Sequence, residues 1–261
     1  MFAAQMKEDP TRGRFVLITN SDSDAEVLAI ALRHAFSKQE PSEDLGRLGE
    51  QVLWIRGKSA AARATEMPAD CAMFHHELPD LLTGEHKDKR FLVSSLSPIA
   101  RGHNIVHPNG RSAIGAIIVC VRPLPPSDNS ADTLGHVTYD NSKSLGFYRT
   151  PGEAMVASRS LAYRNLNAIR FALPNFSSQP ENIRHFTIMN ILVDLAQLAG
   201  RGRRGETPIT CYFGDAAFVD GKTSWADLLR ASIQHMKKNG EWDDFCQEHA
   251  GMAGAMQQYI R

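Results

Sequence analysis

The segment with the clearest chemical potential combines three arginines with three glycines. It reads Gln197-Leu-Ala-Gly-Arg-Gly-Arg-Arg-Gly205, follows an amphipathic helical stretch and directly precedes an apolar run. Glycine lets the backbone approach a ligand closely, and each guanidinium carries a permanent charge on a planar fork that suits phosphate oxygens. This composition is unfavourable for a helix interior, so the segment predicts a phosphate-binding loop. A solvated basic loop is the alternative interpretation.

A second segment places hydroxyl groups at the end of an apolar run. Phe91-Leu-Val leads into Ser94 and Ser95, and the turn Arg101-Gly-His-Asn104 follows. Ligands of parallel α/β proteins bind at the carboxyl ends of the strands, which makes this segment a candidate binding site. An ordinary strand followed by a loop is an equally good interpretation of these residues alone.

Taken together and in this order, the two segments resemble motifs of the C-terminal RecA-like lobe of superfamily-two helicases. Ser94–Asn104 is similar to the fifth motif of that family, and Gln197–Arg204 is similar to the sixth. Phe15–Ser21 occupies the place of the fourth motif. The resemblance covers roughly residues 14–218, and Ile117–Asn129 also looks like the same position in bacterial DNA helicases related to the iron–sulfur group.

The resemblance implies a role for individual residues. Arg201 and Arg204 keep the spacing of the two arginine fingers of the sixth motif. The residues implied in nucleotide binding are Gln197, Gly200, Gly102 and Asn104. The residues implied in nucleic-acid binding are Asn20, Ser21, Ser94, Ser95 and Arg101. The chain departs from the family pattern at three positions: Asn104 replaces the ribose-contacting Asp, Leu198 replaces an Arg, and Arg203 replaces a Gly.

The implied function is that of a motor lobe that is incomplete by itself. Gly57-Lys58-Ser59 resembles the end of a P-loop, but the glycine required five residues earlier is Val52. ATP and Mg²⁺ would therefore be held mainly by a separate P-loop lobe or subunit, and this chain alone is not expected to hydrolyse ATP. Single-stranded nucleic acid is the implied track, with DNA favoured over RNA. The alternative is a non-catalytic RecA-like adaptor that binds nucleic acid or a partner subunit.

The remaining titratable residues give no comparable signal. His75-His76-Glu77 is the only other cluster of interest, and adjacent side chains point in different directions. The two histidines are therefore interpreted as surface or satisfied polar residues, and no metal site is predicted.

The elements that must position these residues alternate between short apolar runs and helical stretches. Strands are predicted at Arg14–Thr19, Val52–Ile55, Cys71–Phe74, Phe91–Ser95, Ala113–Val121 and Pro208–Phe213. A helix is predicted behind a capping box at Ser23 and Glu26, and another at Thr187–Leu198. Strands separated by helices predict a mainly parallel α/β sheet with helices on both faces. We expect Thr19–Ser21, Ser94–Ser97 and Gly200–Arg204 to gather on one edge of that sheet, and a scatter over opposite edges would contradict the helicase assignment.

Two regions lie outside this alternation. Residues 127–185 form a predicted helical insertion into a lobe that spans residues 1–223. Residues 224–261 are predicted to be a C-terminal helical extension, in which Asn239-Gly240 separates two helices.

Composition limits the remaining possibilities. Lys+Arg and Asp+Glu both total 29, so nucleic-acid binding has to come from a local patch of positive charge. No apolar run approaches the roughly 18–20 residues that span a membrane, and no membrane partner is predicted. The four cysteines contain no CxxC pair, which favours a reduced cytoplasmic setting.

Overall fold

The structure is a computed structural model, and it describes most of the chain. The described residues are 9–39, 47–57, 65–100, 104–121, 135, 142, 148–171, 181–215 and 224–260. Within these ranges it describes every side chain except those at 97, 100, 168–171, 182, 183 and 259.

A single sheet of parallel strands forms the framework, as the alternating sequence pattern predicted. Its strands are β1 (Arg14–Thr19), β2 (Val52–Arg56), β3 (Ala72–Phe74), β4 (Phe91–Ser95), β5 (Ile114–Val119) and β6 (Thr210–Phe213). Their spatial order is β3-β2-β4-β1-β5-β6, and every neighbouring pair runs parallel. The predicted α/β class with a parallel sheet is confirmed.

The helices occupy the segments between and after the strands. They are α1 (Asp22–Ser37), α2 (Leu96–Ala100), α3 (Pro151–Phe171), α4 (Glu181–Gly202), α5 (Trp225–Lys238), α6 (Trp242–Glu248) and α7 (Ala250–Tyr259). The cap of α1 is Ser21 rather than the predicted Ser23, since Ser21 Oγ accepts a hydrogen bond from the Asp24 N–H at 3.1 Å. Gly240, with a φ of 73°, separates α5 from α6 at the predicted position.

The burial of the strands explains why their sequences are continuous apolar runs. All six residues of β1 are buried, because side chains on both faces of the sheet are covered. One face packs against Ala25 and Ala29 of α1, and its buried side chains include Phe15, Leu17, Val52, Trp54, Phe91 and Val93. Arg12 closes the beginning of the sheet, where its Nη2 donates hydrogen bonds to the carbonyl of Ile114 at 2.9 Å and to that of Pro208. Burial lowers the pKa of Arg12.

The strand order creates a crevice beside β1. The connection that leaves β1 leads to β2 on one side, whereas the connection that leaves β4 leads to β5 on the other side. At such a switch point the two connections leave on opposite faces of the sheet, and ligands of open α/β sheets bind in the crevice between them. The carboxyl ends of β1 and β4 are therefore the place where the fold favours a ligand.

The chain divides into two compact units. The first consists of residues 1–123 and 192–220 and contains the whole sheet. The second consists of residues 124–191 and 221–261, so the predicted insertion and the predicted C-terminal extension belong to the same unit. Its buried residues include Trp225, Leu229, Ile233, Trp242 and Met256.

Candidate functional site

The arginine and glycine segment begins inside a helix rather than in a loop. Helix α4 continues to Gly202, so Gln197, Gly200 and Arg201 all lie in its last turns. Gln197 and Arg201 are four residues apart and share one exposed face of the helix. A side chain at Gly202 would place its Cβ 2.7 Å from Cγ1 of Ile209, so glycine lets the helix end pack against the strand entry. The prediction of a loop over Gly200–Gly202 is wrong, because tertiary packing overrides the low helix propensity of glycine.

A tight turn then leads from α4 into β6 and fixes the position of Arg204. Gly205 and Glu206 have positive φ angles of 69° and 59°. The carbonyl of Arg204 accepts a hydrogen bond from the Ser112 N–H at 3.0 Å. The hydroxyl of Thr207 also donates to this carbonyl at 2.9 Å, and it reaches the Gly202 carbonyl at 3.0 Å. Arg203 and Arg204 are therefore exposed residues on a well-anchored turn.

The two segments that carry the helicase resemblance meet at Arg201. Its Nη1 donates a hydrogen bond to Oδ1 of Asn104 at 3.1 Å, although the two residues are 97 positions apart. Partial burial, and then the neighbouring charge of Arg204, lower the pKa of Arg201. Because Asn104 is neutral, it orients the guanidinium without cancelling its charge. The result is a pair of nearby arginines suited to an anionic ligand.

The arginine pair lies at the edge where the strands begin, which we call the amino edge. Arg204 is bonded to Ser112 just before β5, and its turn leads directly into β6. Thr19 and Ser95 are paired with each other at the opposite end of β1 and β4, the carboxyl edge. The expectation of one common edge is therefore wrong. The physical reason is that a segment directly before a parallel strand must lie at the amino edge, and a segment directly after one must lie at the carboxyl edge.

The two serines at the end of β4 have different environments. Ser94 and Ser95 project to opposite faces of the sheet, because successive side chains alternate along a strand. Ser94 is fully buried, and its Oγ has no hydrogen-bond partner among the described residues. Ser95 donates a short hydrogen bond of 2.6 Å from its Oγ to Oδ1 of Asp22. The two serines cannot contact one ligand together.

The remaining predicted nucleic-acid residues have mixed environments. Asn20 is exposed directly after β1, whereas the hydroxyl of Ser21 is committed to capping α1. Two acidic residues, Asp22 and Asp24, follow in the first turn of that helix. Arg101 and Gly102 lie outside the described residues.

Asp22 also lies at this edge, and sequence reasoning missed it. A Cβ on Gly57 at the end of β2 would lie 2.2 Å from Oδ2 of Asp22, so the carboxylate fills the space above that glycine. The sequence offered one indication that Asp22 lies at this edge: it belongs to the acidic first turn of a helix that directly follows a strand.

No helix within the described ranges combines the length and apolar character needed to cross a membrane. Among the same residues, no group of three or more His, Cys, Asp and Glu side chains is arranged to hold a metal ion. No protein-family model, no curated protein and no solved structure matches the chain.

Proposed function

We propose that this chain is the C-terminal RecA-like motor lobe of a nucleic-acid-dependent ATPase or helicase, active only with a P-loop lobe or subunit. The observation that carries the proposal is the hydrogen bond from Arg201 to Asn104. It brings together the two segments whose sequences resemble separate motifs of that lobe, although nearly a hundred residues separate them. The parallel α/β sheet supports the same proposal.

The residues at the amino edge fit the phosphate end of a nucleotide. Arg201 and Arg204 are close enough for the charge of one to lower the pKa of the other, after the effect of burial. An anion placed between them would relieve this repulsion and accept several of their N–H groups. In the proposal, ATP supplies the phosphoryl group and is held, with Mg²⁺, mainly by the other lobe.

The chemical task of these arginines is electrostatic. Guanidinium groups that are already oriented stabilise the negative charge that develops on a transferring phosphoryl group, and they do so without reorganising at the moment of reaction. Asn104 and the anchored turn before β6 provide that orientation. In the proposal, Gln197, four residues before Arg201, lies near the nucleotide or couples it to the neighbouring strand.

The separation of the two edges contradicts the arrangement that we expected for such a lobe. That expectation conflicts with the order of elements, because the arginine segment directly precedes a strand in the sequence. Any parallel sheet with this order would separate the arginines from Thr19 and Ser95. By the criterion stated for the sheet edges, this separation counts against the motor lobe, and ATP turnover of the assembled enzyme decides between that lobe and the adaptor.

The decisive experiment measures ATP turnover of the enzyme assembled with its P-loop lobe. We expect Arg204→Ala to lower turnover on the order of 10³-fold, because an arginine finger acts mainly on the transition state. Nucleic-acid affinity should stay nearly unchanged. Arg204→Lys should restore little, since an ammonium cannot reproduce the planar two-pronged contact.

Arg203 provides the matched control. It lies next to Arg204 on the same turn and is exposed, but it occupies a position where the family motif has glycine. Arg203→Ala is expected to retain turnover. Normal ATPase activity of a double variant that lacks both Arg201 and Arg204 would remove the motor-lobe proposal.

A non-catalytic adaptor is the second candidate, and the carboxyl edge favours it. There, Asp22 occupies the space beside Gly57 and accepts a hydrogen bond from Ser95, so these groups are engaged with one another. An adaptor would bind single-stranded nucleic acid or a partner subunit without turnover. The test combines this chain with each P-loop lobe encoded beside it and measures nucleic-acid-stimulated ATPase activity. If no combination is active, the adaptor is favoured. In both cases we place the protein in the cytoplasm, with DNA favoured over RNA as its track.

A further inference from the structure

A stack of three aromatic rings and one guanidinium group lies at the carboxyl ends of β2 and β3. The guanidinium carbon of Arg56 lies 5.1 Å from the ring centroid of Trp54 and 4.8 Å from that of Phe74. The ring of Phe74 is stacked on that of His76, with centroids 5.6 Å apart and an interplanar angle of 18°. Arg56 and Phe74 are register partners on neighbouring strands, which places the two side chains side by side.

Exposure increases along this stack from the core to the surface. Trp54 is only 1% exposed, Arg56 and Phe74 are half-buried, and His76 is exposed. The buried part needs no ligand, because a cation between two aromatic rings stabilises the strand ends by itself. The outermost member is different: the imidazole of His76 is exposed and yet stacked on an ordered ring, a geometry that costs side-chain entropy.

The groups around His76 hold the stack in place. Oε2 of Glu77 accepts a hydrogen bond from the Phe74 N–H at 2.6 Å, which fixes the short helical turn that carries both histidines. The ring of His75 meets that of His76 edge-on, with an interplanar angle of 88° and centroids 5.8 Å apart. The carboxylate of Glu77, the next residue after His76, is directed toward Phe74 by this hydrogen bond.

We propose that the stack of Arg56, Phe74 and His76 binds an unpaired nucleobase, with His76 as the stacking surface. Proteins that bind single strands combine such aromatic surfaces with contacts to the backbone, and every base has a face that can stack. The position agrees with a strand crossing the carboxyl edge, because β3 lies three places from β1, a lateral spacing of roughly 14 Å between the two strands. The inference deepens the proposed function, since it assigns the base contact of the nucleic-acid track.

The test compares two single-stranded oligonucleotides in fluorescence anisotropy with the full chain. One is oligothymidylate, and the other is an abasic strand with the same number of phosphates. We expect the abasic strand to bind about fivefold more weakly or worse, the loss expected for one stacked base. His76→Ala should impose the same loss on oligothymidylate and none on the abasic strand, and His76→Phe should restore the affinity. The salt dependence of binding should not change, since no phosphate contact is removed.

His34 provides the matched control, because it is an exposed histidine near the end of α1 in the same compact unit. His34→Ala should bind both oligonucleotides like the unmodified chain. Equal affinity of unmodified and His76→Ala chains for oligothymidylate would overturn the inference. Displacement of oligothymidylate by thymidine monophosphate at equal base concentration would also overturn the inference. The stack would then be a binding site for a free nucleotide rather than for a base in a strand.

The outcomes separate this inference from the proposed function. Stacking-dependent binding without ATPase activity in the presence of a P-loop lobe would keep the base site and remove the motor role. If His76→Ala changes neither nucleic-acid-stimulated ATPase activity nor oligonucleotide binding, the motor role is kept and the base site is removed.

Discussion

At the scale of single residues, the site depends on how the guanidinium groups of Arg201 and Arg204 are positioned. Arg201 is bound by the neutral amide of Asn104, and Arg204 is held through its backbone carbonyl by Ser112 and Thr207. Neither of these bonds neutralises a guanidinium. At the other edge of the sheet, Asp22 accepts a hydrogen bond from Ser95.

The role of Asn104 as a hydrogen-bond acceptor can be separated from the effect of its being uncharged. Asn104→Ala removes the acceptor of the Arg201 bond, and a hydrogen bond to a charged group contributes about 1.5–3 kcal/mol. We expect ATP turnover of the assembled enzyme to fall roughly tenfold or more. Asn104→Asp keeps an oxygen at the same place and should retain most of the activity. An alanine variant with full turnover would show that the contact is incidental, and equal losses in both variants would assign the effect to the neutral charge of the amide.

At the scale of elements, the turn between α4 and β6 decides where the arginines stand. Its two left-handed residues, Gly205 and Glu206, reverse the chain just after the helix. Gly205 is tightly enclosed, since a Cβ there would lie 2.8 Å from Cα of Arg111 and 3.0 Å from the Gly110 carbonyl. Glycine is therefore required at 205 for both conformation and space, whereas at 206 an L-residue carries the conformational strain alone.

These two adjacent positions give opposite predictions for stability. Gly205→Ala should lower the free energy of unfolding by about 2 kcal/mol or more, from left-handed strain and from the clash with backbone atoms. Glu206→Gly should raise it by about 0.5–1 kcal/mol, because relief of the strain outweighs the added flexibility of the unfolded chain. Urea denaturation followed by circular dichroism measures both. A stabilising Gly205→Ala would show that this turn is not formed.

At the scale of the whole molecule, the chain builds two cores rather than one. The sheet and α1 enclose the core of the first unit, and α5 contributes Leu229 to the buried residues of the second. Three passages of the chain join the units, and one of them is the helix α4. Substitutions in one core should therefore act mainly on the unit that contains them.

Hydrogen exchange measured by mass spectrometry tests this division. Leu229 is 2% exposed, and Leu229→Ala should cost about 2–4 kcal/mol of local stability by leaving a cavity. We expect faster exchange over residues 225–259 and little change in β1, β4 and β5. Val93→Ala in β4 is the reciprocal variant, and it should affect the strands and spare residues 225–259. Uniformly faster exchange in both variants would show that the molecule unfolds as one cooperative unit.

The sequence by itself determined the elements and their class. Arg14–Thr19 and Phe91–Ser95 were predicted with the bounds that the structure has, because strands buried on both faces must be apolar without interruption. The break between α5 and α6 could be predicted at Gly240, since a left-handed residue that ends a helix is a local requirement. The arginines and Asn104 could be selected as candidates because their types and order carry the helicase resemblance.

Only the tertiary structure decided which of these residues meet. The strand order placed β4 between β2 and β1, and this brought Ser95 to Asp22 and Asp22 to Gly57. The same packing extended α4 through glycines that have low helix propensity. It also put Arg56 beside Phe74, a pair that belongs to different strands. The physical reason is that apolar patterns specify burial locally, whereas contacts between separate strands depend on sheet register and order, which no short stretch of sequence encodes.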